Sequence, residues 1–187
     1  MASKKKKVIP YKRKRNGRTN YKVRLKLLLS RKPRLVVRKS NTKLVAQIVE
    51  YVPSGDKIIS AAVSTELKKY GWSFSLKNIP SAYLLGVLIA KKALDKKVNH
   101  AIFDIGSQRS NKGSKLYAVL NGAIDAGMSI PADNSIFPSK DRVSGKHIAG
   151  YFSSAAGNQF SNYKKEKLSV QSMEKQIEEI KHKILAK

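Results

Sequence analysis

RLVVRKSNTKLVAQIVEYVPSGDKIISAAV, residues 34–63, holds three β-rich runs separated by turn-forming residues. The runs are Arg34 to Lys39, Leu44 to Val52 and Lys57 to Val63, with Ser40-Asn41-Thr42 and Pro53-Ser54-Gly55-Asp56 between them. Short turns between such runs predict antiparallel hairpins. In the second run Val45, Gln47, Val49 and Tyr51 share one face, and Leu44, Ala46, Ile48, Glu50 and Val52 the other. One face is apolar and the other mixed, as in a sheet covered on one side and open on the other.

Downstream, Ser64 to Tyr70 predicts a short helix with Glu66 in its first turn and Gly71 past its end. Trp72 and Phe74 follow in a loop, where they either anchor it to the domain, the favoured reading, or stack on RNA. Asn78 to Lys97 is the strongest helix, with Pro80 in its first turn and Leu84, Val87, Leu88, Ala93 and Leu94 as its apolar stripe. His100 to Ile105 is nearly all apolar and reads as an interior strand; the long helix before it allows a crossover to a parallel neighbour. After the polar basic loop Gly106 to Gly113, Ser114 is placed to cap a second helix with Leu116, Val119, Leu120 and Ala123 inward. Val170, Met173, Ile177, Ile180 and Ile184 recur at spacings of 3 and 4 along a last helix. Its seam, about two heptads long, is expected to dock on a surface of the chain itself or of a partner.

Upstream, residues 1–43 carry 18 lysines and arginines and no carboxylate; the first acidic residue is Glu50. The remaining 144 residues hold 21 basic and 12 acidic residues, so the formal net charge of +27 is concentrated in the arm without ending there. Such a segment repels itself and needs an array of negative charge; nucleic-acid phosphates supply it, each contact also releasing counterions. Residues 1–18, broken by Pro10 and Gly17, read as a tail disordered until bound, rather than as an import signal or a solubilising tail. Thr19 is placed to cap a short helix over Asn20 to Ser30, with Val23, Leu25, Leu27, Leu28 and Leu29 available for packing. Lys22 and Arg24 in its first turns have the wrong sign for the helix dipole, a penalty that a bound phosphate would offset. Tyr11 and Tyr21 either stack on exposed bases or tuck against the domain.

With no cysteine, disulfides, thiol catalysis and thiolate zinc sites are excluded. No apolar run approaches the roughly 18 residues that span a bilayer, and no apolar stretch follows the first lysines as in a secretory signal. A cytoplasmic chain with no membrane partner is expected.

Three catalytic readings fail on the residues. Asp104-Ile105-Gly106-Ser107 looks like the first phosphate loop of actin-like ATPases, but the second loop is missing; an aspartate bonding loop amides is the expectation. Ser144-Gly145-Lys146 lacks the upstream glycine of a P-loop, and His147 replaces its Ser or Thr. For a metal-dependent nuclease, Glu50, Glu66, Asp95, Asp104 and Asp125 show no clustered spacing, and His100, His147 and His182 show no ligand pattern. No catalytic residue, metal site or cofactor is expected.

Thr19-Asn20-Tyr21, Arg24-Leu25-Lys26-Leu27-Leu28 and Lys32 to Asn41 (KPRLVVRKSN) closely resemble the L-eighteen family of large-subunit ribosomal proteins, which carry 5S rRNA. Ala101-Ile102-Phe103-Asp104-Ile105-Gly106 and Asp125-Ala126-Gly127-Met128 continue the match. Gly145-Lys146-His147-Ile148-Ala149-Gly150-Tyr151 is similar to the signature of its archaeal and eukaryotic branch, and the chain's length is of the archaeal type. The resemblance covers about residues 10–155 and leaves the tail after about Asn158 unaligned.

The resemblance implies an α/β fold with a mixed sheet: three antiparallel strands, a crossover helix, a fourth strand, and helices on one face. It implies a cytoplasmic ribosomal protein of the central protuberance that contacts 5S rRNA, 23S rRNA and the neighbouring L-five-type protein. The parts are a basic arm and short helix (1–30), an α/β core (31–130), a basic Ser/Gly-rich loop segment (131–160) and a C-terminal amphipathic helix (161–187). The candidate RNA contacts in the arm are Lys4, Lys5, Lys6, Lys7, Tyr11, Lys12, Arg13, Lys14, Arg15, Arg18, Asn20, Tyr21 and Arg24. Arg38, Lys39, Ser40, Asn41 and Lys43 join them at the first hairpin turn; Ser107, Arg109, Lys112, Arg142, Ser144, Lys146 and His147 lie in later loops. A sequence-indifferent RNA chaperone is the alternative function, and a nuclease the weakest.

Overall fold

A computed structural model describes residues 8–154, 159–165 and 169–186, without the side chains of Asn162 and Lys165. In chain order the elements are α1 (Lys12–Arg15), α2 (Tyr21–Leu28), β1 (Arg34–Lys39), β2 (Leu44–Val52), β3 (Gly55–Val63), α3 (Ile79–Leu94) and β4 (Ile102–Asp104). Then come α4 (Lys115–Asp125), α5 (Lys140–Val143), α6 (Lys146–Ser154), α7 (Ser161–Lys165) and α8 (Met173–Ala186). Three 3₁₀ turns lie at Ser64–Tyr70, Asn134–Ile136 and Val170–Ser172.

The four strands form one mixed sheet in the order β3-β2-β1-β4. β1 to β3 pair antiparallel, and β4 runs parallel to β1 after the α3 crossover. The apolar run at 100–105 yields only a three-residue strand at the sheet's edge, not the interior strand expected; His100 forms an isolated bridge with Ser129 instead. At this margin Phe103 packs on Tyr117 of α4 with ring centroids 5.8 Å apart, and the Ala101 amide donates to the Ser129 carbonyl.

Leu35, Val37, Leu44, Ala46, Ile48 and Ala62 are buried beneath the helices. α3 is not a one-striped helix: every residue from Ile79 to Ala90 is buried, since the sheet, α4 and α8 all pack on it. Asn78 caps its start, its Oδ1 accepting from the Ser81 amide at 2.8 Å, and Pro80 lies in the first turn as expected. α3 and α4 cross at two glycines. A Cβ on Gly86 would lie 2.1 Å from the Val119 carbonyl oxygen, and one on Gly122 would lie 2.1 Å from that of Tyr83.

Trp72 and Phe74 are buried edge-to-face at 5.4 Å, with the indole donating to the Ser75 carbonyl, so they anchor the loop. Met173, Ile177, Ile180 and Ile184 of α8 are buried against the protein's own α3. Residues 131–160 are not simply a loop: a 3₁₀ turn, α5 and α6 lie within them.

The second sheet face is not open. A bulge in β3 pairs Ile48 with Ser60 but Val49 with Ile58, leaving Ile59 as the extra residue. One extra residue swaps the faces beyond it, so Ile58 and Asp56 project away from α3, beside Arg34, Val36 and Arg38. There they meet α2, which lies across this face.

Candidate nucleic-acid interface

The arm is fastened by charge. Arg24 holds Asp56 through two hydrogen bonds, Nη1 to Oδ2 and Nη2 to Oδ1, both 2.8 Å. Arg34, buried in β1, donates to the same carboxylate at 2.8 Å and to Asp104 Oδ2 at 2.7 Å. Asp104 Oδ1 accepts from the Gly106 amide, as an aspartate at a strand end bonding its loop should. Arg24 hydrogen bonds first, then those of Arg34, hold the Asp56 carboxyl below its ordinary range against the opposing effect of burial. The same contact with Asp56 raises the Arg24 pKa against its partial desolvation. Thus part of the misplaced charge in the first turns of α2, that of Arg24, is met by a carboxylate of the protein. Asn20, not Thr19, caps α2, accepting from the amides of Lys22 and Val23. Thr19 accepts from Arg13 Nε instead.

Between arm and sheet runs a groove of about 310 Å³ lined by Arg13, Arg18, Asn20, Arg24, Arg38 and Gln47, among others. The arm residues from 8 to 18 are exposed, and the expectation of a tail without structure meets a one-turn helix there, α1. Tyr11 and Tyr21 pack on each other with ring centroids 5.4 Å apart. Val23, Leu25 and Leu29 stay exposed rather than packing. Lys4 to Lys7 lie outside the described residues.

A second group gathers at the far end of β1. The turn closes through Ser40 and Lys43, whose main chains and the Ser40 hydroxyl bond one another. Gln108 ties the following loop to it, donating to the Val37 carbonyl at 2.9 Å and accepting from the Lys39 amide. Ser107, Arg109 and Lys112 are exposed on that loop. Lys39, Ser40, Asn41 and Arg142 line one cleft of about 410 Å³ together with Ser114, expected as a helix cap, and with Lys77 and Lys115, which no sequence pattern singles out. Lys77 and Lys115 sit just ahead of and at the start of buried helices, so their charge reads locally as helix flanks; only the packing brings them together.

Arg38 lines the first groove and is also drawn to β4, donating to the Val37 and Asp104 carbonyls. The remaining candidates do not join. Lys146 faces the carboxylates of Asp141 and Glu174 at 3.8 and 3.6 Å, and the Ser144 hydroxyl donates to the Asp141 carbonyl. His147 is exposed on α6, apart from either group's lining. Four of the five carboxylates considered for metal binding are engaged, Glu66 with Lys92, Asp95 with Lys91, Asp104 with Arg34 and Asp125 with the Tyr83 hydroxyl, while Glu50 is exposed.

Fold and charge define a class: a basic α/β protein with a mixed four-stranded sheet, several of whose carboxylates are paired internally and whose cations are in large surplus. Sequence comparison gives the lineage. Residues 5–100 match the family described as ribosomal large subunit proteins 60S L5 and 50S L18. The chain is 44% identical over 183 residues to the large ribosomal subunit protein uL18 of Thermofilum pendens, across 94% of this chain and 93% of that one. It is 41% identical over 195 residues to the protein of the same name from Caldivirga maquilingensis, across 100% and 94%. The chain belongs to this family of large-subunit ribosomal proteins.

Proposed function

We propose that the protein is a non-enzymatic constituent of the cytoplasmic large ribosomal subunit that binds 5S rRNA and helps attach it to 23S rRNA. Its place would be the central protuberance, beside the L-five-type protein. The observation that carries the reading is the imbalance of the pairing. Asp56 and Asp104 lock the arm and sheet together, while the cations of α1, the β1–β2 turn and the 107–112 loop face outward. Phosphate and 2′-hydroxyl contacts with folded RNA suit such a surface, and the arm orders along the RNA through charge-assisted bonds.

The test is a titration of the protein against 5S rRNA and a scrambled RNA of equal length at several salt concentrations. Tight 5S binding that outlasts scrambled binding as salt rises is the expected result. Equal affinities that collapse together would identify a sequence-indifferent binder, since log K then follows salt alone, by roughly 0.7–0.9 per phosphate contact.

A further inference from the structure

We infer that the cleft between the β1–β2 turn and the starts of α3 and α4 holds an RNA phosphodiester, with Lys77 and Lys115 as contacts beyond the turn and Arg142. The inference rests on the ribosomal reading above and goes further by naming the residues and the ligand group. Four cations, Lys39, Lys77, Lys115 and Arg142, reach this cleft from four separate parts of the chain, and among the described residues no acidic one lines it. Convergence of like charges costs free energy that a folded protein alone does not recover. The cost is visible at Lys115, whose pKa is lowered by burial first and then by Lys77 and Lys39. Elsewhere the comparably placed cations Arg24, Arg34, Lys91, Lys92 and Lys146 each face a carboxylate. Here the complementary anion has to come from outside.

Two further features fit a phosphate. Ser114 lines the cleft, and its hydroxyl, shielded from solvent, has no hydrogen-bond partner among the described residues. The 113 loop and Arg142 are neighbours: a Cβ on Gly113 would lie 3.9 Å from Pro138 and 4.0 Å from the Arg142 guanidinium. No aromatic ring lines the cleft, so there is nothing on which a base would stack, and the backbone is the group it suits.

The test compares the full chain with Lys77→Gln/Lys115→Gln and with a control, Lys57→Gln/Lys97→Gln, whose residues flank a depression at the other end of α3. Binding to 5S and 23S rRNA transcripts is measured across salt concentrations, with circular dichroism confirming the fold. The cleft variant is expected to bind one transcript about tenfold more weakly, with a salt slope lower by roughly 0.7–0.9 per phosphate lost, and the control to change less. Equal losses in both variants, or none in the cleft variant, overturn the inference while leaving the ribosomal reading intact. Failure of the unaltered chain to bind either transcript removes both. Because the chain has no cysteine, Asn111→Cys offers a second readout: iron–EDTA tethered on this exposed loop residue should cleave RNA at one discrete site. Uniform or absent cleavage in a bound complex would count against the cleft.

Discussion

Arg34 is an arginine within an otherwise apolar strand start, and its environment explains why it is tolerated there. Its guanidinium is almost completely buried, yet both terminal nitrogens reach carboxylates, Asp56 and Asp104. Removing a partner from such a site leaves a desolvated charge under-compensated. Asp104→Ala is expected to lower unfolding free energy by about 3 kcal/mol, the low end for a broken buried pair, because Asp56 remains. Urea denaturation measures it, and a loss under about 1 kcal/mol would mean the pair is replaceable by solvent. The local role of Asp104 was legible in its strand-end position before a glycine. Its partnership with a residue 70 positions away was not, because nothing in either segment encodes the other's position.

At the scale of elements, the closest approach in the core is the crossing of α3 and α4. Gly86 and Gly122 each face a carbonyl of the opposite helix, so their missing side chains set the interaxial distance. Gly86→Ala places a methyl against backbone that cannot turn aside, and is expected to destabilise by about 1–3 kcal/mol or more despite alanine's better helix propensity. A rise in thermal midpoint would show that the helices can slide apart at little cost. α8 is joined to the same pair: Lys181 donates to the Tyr83 hydroxyl at 3.0 Å, which donates to Asp125. Burial, then Asp125, raises the Tyr83 pKa well above that of a free phenol, so this link stays protonated at any physiological pH. The seam of α8 was readable from its spacing, whereas its dock was not, since α3 is buried on every side and so advertises no particular face.

Across the whole molecule, the arm and the domain are separate charge systems joined at Asp56. Depression of its folded-state pKa below 3.8 means that the attachment is fully present above that value and is lost as pH falls through the depressed one. Lowering pH from neutrality through the depressed Asp56 value, below 3.8, is therefore expected to release α2 from the sheet. NMR titration of the Asp56 carboxyl carbon, followed with the Arg24 guanidinium signals, checks it. Titration of Asp56 at 3.8 or higher, or Arg24 signals indifferent to it, would show that the arm is held by something else.

The sequence by itself determined β1 to β3, the helices α3, α4 and α8 and the basic arm, because alternation, turn residues, apolar spacing and charge are properties of neighbouring residues. It also carried the family, through motifs at Lys32 to Asn41, Ala101 to Gly106 and Gly145 to Tyr151. Tertiary structure alone decided that the bulge at Ile59 turns Asp56 toward Arg24, so that a strongly basic helix lies on the face expected to be open. It also decided that Lys77 and Lys115 stand beside Lys39 and Arg142. Coulombic interactions depend on distance through space, and residues far apart in the chain acquire that distance only when the sheet and helices pack.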